Sequence, residues 1–527
     1  MNPQKSNTSA SVSSDAAFKA IREGKAPIRL PGNNHYLSVF ADELGGILAP
    51  HGFYNFNGIC STIEYNPKLK VYEVVRVMPA TFRTIIEAHC VPYVVTKRDD
   101  QYIRFNKSLS ADHARAILVS PNFLEKLPYL AALNFVRLPI RRDDGRIELL
   151  PEGYDYASGI FTILNGSSYD EKLPFHEAKA FIVELLSEVC FQPEDKTRGP
   201  AIVLAEMLTL FCTYMLPASA VRPGFLLSAN AEGSGKTTLA YLAIIPRLGY
   251  APAASAPKDE DEMRKEILAV ALTAAPILFL DNVKHHIASS SLERLMTCPT
   301  IQGRMLGESR EIIIPHSLTV IITGNGATIS PDLRRRLRSV ELFLSESKPE
   351  DHVFRNSLEI EDIIALSPRI RAALWAICRH WQEAGNPPPK RKLPSFSAWS
   401  ETVAAIVECA GYDSPCLDSV ALRCSGDRLG TDMQKLVEAM NPTHPYGFSE
   451  LVDVALDKEL FPTIIGIELP LDNKAKAAFG IMLKKNENRK FFIPDPQTGR
   501  PQSWQFTLQG NSRKLRRYAL IQTTLAP

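Results

Sequence analysis

Residues 225–240 read Phe225-Leu-Leu-Ser-Ala-Asn-Ala-Glu-Gly-Ser-Gly-Lys236-Thr-Thr-Leu-Ala240. The apolar run Phe225 to Leu227 predicts a buried strand, and a helix is predicted from Lys236 onward. Strand, glycine-rich loop and helix in that order are the setting a phosphate-binding loop requires. Gly233 and Gly235 let the backbone curl until its N–H groups converge on an anion. The helix N-terminus adds a partial positive charge. Lys236 would reach the β- and γ-phosphates of a nucleotide, and the Thr237 hydroxyl would ligate Mg²⁺. The candidate nucleotide-binding set is Asn230, Glu232, Gly233, Ser234, Gly235, Lys236, Thr237 and Thr238. Asn230 stands where the pattern has its leading glycine. The departure is mild, because Asn tolerates the left-handed region better than most residues.

Two later strands would work with this loop. Ile277-Leu-Phe-Leu-Asp281-Asn282 is an apolar strand ending in a carboxylate. Asp281 would hold Mg²⁺ through water; a strand-end cap is the plainer alternative. Most motor ATPases place a glutamate next, to polarise the attacking water. Here the residue is Asn282, so either the base lies elsewhere, with Glu232 as one substitute, or hydrolysis is slow. Leu318-Thr-Val-Ile-Ile-Thr-Gly-Asn325 is a second buried strand with a polar end. Asn325 would touch the γ-phosphate or orient water. Asp332-Leu-Arg334-Arg335-Arg336-Leu-Arg338 then packs four arginines into five positions. A solvated basic face is the usual meaning of such a run. After a sensor-like Asn, an arginine finger reaching a neighbouring subunit's nucleotide is at least as well supported. Asp281, Asn282, Asn325, Arg334, Arg335 and Arg336 are the candidate catalytic residues, and Thr237 and Asp281 the candidate metal ligands. No Leu-Ser-Gly-Gly-Gln transporter signature or GTPase Asn-Lys-x-Asp is present.

The rest of the chain must accommodate this α/β core. Its 527 residues suggest three or four domains at roughly 150 residues each. An apolar fraction of 45% with 22% charged residues excludes a collagen-like chain, a coiled-coil rod and disorder throughout. The net charge of +2 excludes a uniformly basic chain but leaves room for local basic patches. Nine cysteines with no C-x-x-C pair are too sparse for a disulfide scaffold and point to free thiols in a reducing compartment. The first thirty residues have no apolar segment of the secretory kind. Ala201 to Leu216 is greasy but carries Glu206 and stops at Pro217, which fits a buried helix better than a membrane span. A cytoplasmic protein with no membrane partner is expected.

Six segments are expected. Residues 1–27 form a disordered tail. Residues 28–165 form an α+β domain, with a helix from Leu37, short strands near 52–56, 71–77 and 91–95, a hairpin about Asp144-Gly145, and a turn over Gly153 to Gly159. Residues 166–222 form a helical bridge, Phe175 to Cys190 and then Ala201 to Leu216. Residues 223–345 alternate strands with helices, the sign of a parallel sheet. Residues 346–440 form a helical lid or linker. Residues 441–527 close the chain.

The succession SANAEGSGKTT, ILFLDN, GRMLGES, TVIITGN and DLRRRLRSVEL resembles the AAA+ ATPase core of replication helicases from bacterial phages and integrative elements. These motors are related to the superfamily 3 and minichromosome-maintenance groups. The upstream LPIRRDDGRI and GYDYASGIF and the downstream FSAWS also recur in them. The resemblance is tightest over residues 223–345. It implies a P-loop fold, a ring (commonly a homo-hexamer), ATP sites between subunits and single-stranded DNA in the pore. By motif position it implies Lys236 and Thr237 on ATP and Mg²⁺, Asp281 on Mg²⁺, Asn325 as sensor, and one of Arg334 to Arg336 as finger. It further implies a pore hairpin between Asp281 and Asn325, for which Lys284, Arg304 and Arg310 are candidate DNA contacts, each equally consistent with surface charge.

Residues 471–527 carry eleven basic and three acidic residues, a local balance of +8, so the first 470 sum to −6. A helix over 475–485, a strand over 489–493, a Pro/Gly turn and a strand over 502–508 match a winged helix, which places a helix in the major groove and a wing on phosphates. Lys484, Lys485, Arg489, Lys490, Arg513, Lys514, Arg516 and Arg517 are the candidate contacts there. The expected function is an ATP-dependent DNA helicase or replication-initiation motor of a mobile element, acting on single-stranded or forked DNA or an origin duplex. A non-unwinding ATP-dependent DNA-binding switch or assembly ATPase is the alternative.

Overall fold

In a computed structural model of the chain, the described residues are 24–32, 34–67, 71–98, 100–164, 168–230, 233–252, 254, 257, 259–273, 275–283, 286–304, 311–325, 329–343, 358–417, 428–461, 464, 473–494, 501–509 and 517–522. The expected tail therefore lies largely outside them. The chain divides into two compact units between Leu417 and Asp418.

The first unit opens with β1 (Ala26–Arg29), α1 (Leu37–Leu48), β2 (Phe53–Phe56), β3 (Ile59–Asn66) and β4 (Val71–Arg76). There follow α2 (Pro79–His89), β5 (Cys90–Arg98), β6 (Gln101–Asn106), α3 (Ala111–Leu118) and α4 (Pro121–Leu124). Phe40, Ala41, Leu44 and Leu48 form the buried stripe of α1, at the helical spacing that predicts it. They share a core with Phe82 and Phe123, whose rings meet edge to face at 5.6 Å. Strands β7 (Ala132–Asn134), β8 (Pro139–Arg141), β9 (Ile147–Leu149), β10 (Gly153–Asp155) and β11 (Ile160–Thr162) complete this region. β8 and β9 pair as the expected hairpin, with Gly145 at φ 83° in the turn. The stretch 153–159 begins as a strand rather than a turn: β10 pairs antiparallel with β11, and Asp155 anchors Arg142 at 2.7 Å.

Helices α5 (Phe175–Leu185) and α6 (Arg198–Phe211) follow. α5 stops short of the expected Cys190; the Ser187 hydroxyl donates to the Glu184 carbonyl at 2.7 Å, offering the chain a partner outside the helix ladder. α6 is buried almost all round, which explains the greasy stretch as core. Among the described residues no helix is long and apolar enough to cross a membrane, and all eight described cysteines are free.

Next come β12 (Gly224–Ala229), α7 (Lys236–Leu248), α8 (Glu260–Leu272), β13 (Ile277–Val283), α9 (Ser290–Leu295), β14 (Thr300–Arg304) and β15 (Glu311–Pro315). They lead into β16 (Thr319–Asn325), α10 (Pro331–Arg334) and β17 (Leu337–Leu342). The four long strands form a parallel sheet in the order β13-β16-β12-β17. Both faces are covered, so the strands read as unbroken apolar runs. Phe225, Leu227, Ile321 and Val340 face one core with α6 and α7. Leu226, Leu278, Leu280, Val320 and Ile322 face another with Met263 and Ile267 of α8. β14 and β15 form a two-stranded antiparallel hairpin. α11 (Ile360–Glu383), α12 (Ser397–Trp399), a π-helical turn (Ser400–Ala404) and α13 (Ala405–Cys409) close the unit. The Trp399 indole donates to Thr209 of α6 at 2.8 Å, tying this helical run to the core.

The second unit holds α14 (Arg428–Ala439), α15 (Phe448–Asp457), α16 (Asn473–Lys485), β18 (Lys490–Pro494), β19 (Pro501–Gln509) and β20 (Arg517–Gln522). The three strands form one antiparallel sheet in chain order. β20 adds a strand beyond those the sequence predicts. Met433, Leu436 and Val437 of α14 pack in one cluster with Phe461, Phe479 and Phe506. α14 thus belongs to this unit and not to a lid or linker running to 440.

Candidate functional site

Because β12, β13, β16 and β17 are parallel, the loops at their carboxyl ends gather on one edge of the sheet, where α/β folds place ligands. Ala229 at the end of β12 lies between Asn325 of β16 and Leu342 of β17. The loop leaving β12 passes through Gly233 at φ 71° and Gly235 at φ 81°. Both angles are strained for any residue with a Cβ. Gly235 is also the N-cap of α7, so no side chain caps the first amides of that helix, and its positive end faces the loop. Lys236 is 7% exposed, and its Nζ donates to Ser234 Oγ at 2.9 Å. Thr237 and Thr238 are half-buried beside it.

Forty-four residues later, Asp281 arrives at the same place. Thr237 Oγ1 donates to Asp281 Oδ1 at 2.9 Å, and Thr323 Oγ1 donates to the same oxygen. Thr323 Oγ1 in turn accepts the Asn282 amide at 2.8 Å. That bond accompanies a bulge in β13: pairing with β16 skips between Leu280 and Val283, and Asn282 sits at φ 53°. The Asn282 residue is exposed, whereas Asn325 Oδ1 is buried with no hydrogen-bond partner among the described residues. Burial, then the Asp281 charge, push the Tyr241 phenol above its ordinary value.

The loop opens on a cleft of about 850 Å³, within the size range of small-molecule sites. Its floor is Gly233 to Leu239; its walls come from α5 and α11, with Glu184, Glu188, Glu359, Asp362 and Arg369. The Arg369 guanidinium lies 4.2 Å over the Phe181 ring. The sequence singles out none of these wall residues: Glu184, Asp362 and Arg369 sit on helices, Glu188 follows one, and Glu359 with Asp362 makes only a helix capping box. Thr323 carries a usable signal, as the one hydroxyl inside the buried run from Val320 to Thr323.

The other expected site residues scatter. Arg335 is exposed and pairs with Asp332 at 3.0 Å; Arg336 pairs with Glu293 at 3.3 Å; Arg334 is half-buried at the end of α10. None of the three lines the cleft. Glu232, Lys284, Arg310, Arg513, Lys514 and Arg516 lie outside the described residues, as do the side chains of Arg304 and Lys485. Asn230 is exposed at the end of β12, its amide donating to the Leu342 carbonyl at 3.3 Å. In the second unit Lys484, Arg489, Lys490 and Arg517 are exposed. The Arg489 guanidinium rests 5.4 Å over the Phe491 ring, and Arg517 donates to the Pro445 carbonyl at 3.1 Å.

No protein-family model matches the chain, and no curated protein matches it. Among solved structures the chain is similar to the A form apo structure of the NrS-1 C-terminal region, at 12% identity over 91% of this chain and 99% of that one, with a TM-score of 0.38.

Proposed function

We propose that this chain is an AAA+ ATPase that works on DNA: an ATP-dependent helicase or replication-initiation motor of a mobile genetic element, acting as a homo-hexameric ring on single-stranded or forked DNA. One observation carries the reading. The Thr237 hydroxyl and the Asp281 carboxylate, far apart in sequence, meet at 2.9 Å beside a buried lysine at a helix N-terminus. The order β13-β16-β12-β17 supports it, since it sets the carboxylate strand, the Asn325 strand and the loop strand side by side. The residues fit ATP and Mg²⁺. Thr237 and Asp281 are hard oxygen donors of the kind Mg²⁺ takes. The loop amides and Lys236 suit phosphate. Asn325 Oδ1 is buried and unpartnered among the described residues at the same edge, an acceptor that suits a proton of the attacking water. Bound Mg²⁺ supplies charge neutralisation on the phosphoryl oxygens.

Of the three arginines, Arg335 is the best finger for a neighbouring subunit, because it is exposed and paired with an exposed aspartate, whereas Arg336 is engaged by Glu293 within the chain. The second unit, a set of helices with a three-stranded sheet and exposed cations, reads as a winged-helix DNA-binding domain.

Asn282 favours a second reading, a non-unwinding nucleotide switch. Its backbone N–H is pinned to Thr323 Oγ1, and its side-chain carboxamide cannot take a proton from water. The two readings part in one experiment: ATPase measured with and without single-stranded DNA, alongside strand displacement from a forked duplex. The motor requires both stimulation and displacement. Stimulation without displacement would leave the switch.

A further inference from the structure

The first unit carries a second charged and aromatic surface, far in sequence from the cleft. β1, β5 and β6 form one sheet, in that order. β5 and β6 pair Tyr93 with Asn106, Val95 with Arg104 and Lys97 with Tyr102. β1 sets Arg29 beside Tyr93. Cross-strand partners share a face. Tyr93, Val95, Lys97, Tyr102, Arg104 and Arg29 therefore lie on one face, while Ile28, Cys90 and Val94 face the core on the other. Every residue of β6 is exposed, Tyr102 at 76%. Arg104 lies 4.7 Å over the Tyr93 ring, which sets a cation over an aromatic plane. No acid stands at any of these register positions; Asp100, in the turn beyond, pairs with Lys97 at 2.7 Å.

We infer that this face binds single-stranded nucleic acid. A sheet face with interleaved cations and tyrosines offers what an unpaired strand needs: charge for its phosphates and rings for its bases. A duplex hides its bases in the stack and would use only the cations. An anionic protein would have no use for the exposed ring of Tyr102 beside a cation-capped Tyr93. The site is separate from the nucleotide cleft and does not depend on its assignment.

The test uses the full-length protein without nucleotide. A 5-bromodeoxyuridine oligonucleotide is photo-crosslinked and the adducts are mapped by mass spectrometry. Adducts on Tyr93 or Tyr102 are expected; adducts confined to other segments would overturn the proposal. In parallel, fluorescence anisotropy follows oligo-dT binding to Tyr102→Ala and Arg104→Ala. Removing one stacking ring should weaken binding about fivefold or more. Removing one phosphate-binding cation should lower the slope of log K against log salt by about 0.7. Affinity and salt slope unchanged in both variants, with wild-type thermal unfolding, would sink the idea. Should either variant misfold, the crosslink map on the wild-type chain still decides. Because ATPase is not read, failure here leaves the motor reading untouched, and failure of that reading leaves this one.

Discussion

The carboxyl edge of the parallel sheet and the basic surface of the C-terminal unit carry the two halves of the proposed activity, and they are built in opposite ways. At the sheet edge the polar side chains are buried or half-buried and hold one another, Lys236 on Ser234 and Thr237 and Thr323 on Asp281, and the backbone N–H of exposed Asn282 is held by Thr323. In the C-terminal unit Lys484 and Lys490 stand exposed. Buried polar groups must find partners, so their geometry is set before any ligand arrives. Exposed cations need only water, so they supply charge without a fixed arrangement. Changes at the first region should act steeply and through specific atoms. Changes at the second should be graded and additive.

The largest effect tests whether the edge is completed by a second subunit. Arg335→Ala should leave ATP binding intact and cut turnover of the assembled protein about 10³-fold. Full turnover in isolated subunits would remove the finger from the scheme. Lys236→Ala should lower ATPase by about 10²–10³-fold, read by phosphate release at saturating ATP. Unchanged turnover would refute the phosphate-loop assignment and with it the contrast between the regions.

A buried carboxylate behind the sheet gives a pH-dependent check. Glu206 is fully buried, neither oxygen has a hydrogen-bond partner among the described residues, and burial holds it well above its ordinary value of 4.5. Burial therefore favours its neutral, protonated form. A raised acid of this kind carries no ionisation penalty below its unfolded pKa, only the cost of burying an unpaired neutral carboxyl. It destabilises progressively as pH rises above 4.5 toward the folded value. Glu206→Met should raise stability by about 1–3 kcal/mol at pH 4, with the gain growing as pH rises toward 8, as followed by denaturant titration. A gain independent of pH would mean that packing, not protonation, governs the site.

The smallest effects belong to the exposed region. Replacing Lys484, Arg489 and Lys490 by Ala, singly and together, should weaken duplex binding in steps and flatten the salt slope by about 0.9 for each phosphate no longer neutralised. A single variant that abolished binding would show that this surface, too, is a preset site.

What the sequence makes legible follows the same division. The strand, loop and helix around Lys236 are local, so glycine spacing and apolar runs reveal them directly. The helix over Leu37–Leu48 and the hairpin at Gly145 are equally local. The turn read over Gly153 to Gly159 holds for 156–159, but Gly153–Asp155 is a strand, whose hairpin is fixed by the parallel pairing of β11 with β7, and that pairing leaves no local signal. The place of α14 is equally hidden, because the boundary between units depends on which core its Met433 and Leu436 enter.

The sequence by itself determined the glycine-rich loop between strand and helix, the alternation that makes a parallel sheet, and the concentration of positive charge in the last 57 residues. Only the tertiary structure decided that Thr323 joins Thr237 on Asp281, that Asn282 sits on a bulge with its amide pinned, and that α5 and α11 wall the cleft with Arg369 and four acids. The physical reason is range. Backbone conformation and hydrophobic period act over a few residues and leave a pattern in the chain. A side chain's partner across a sheet or between helices is set by packing of segments that the sequence separates by dozens to hundreds of residues.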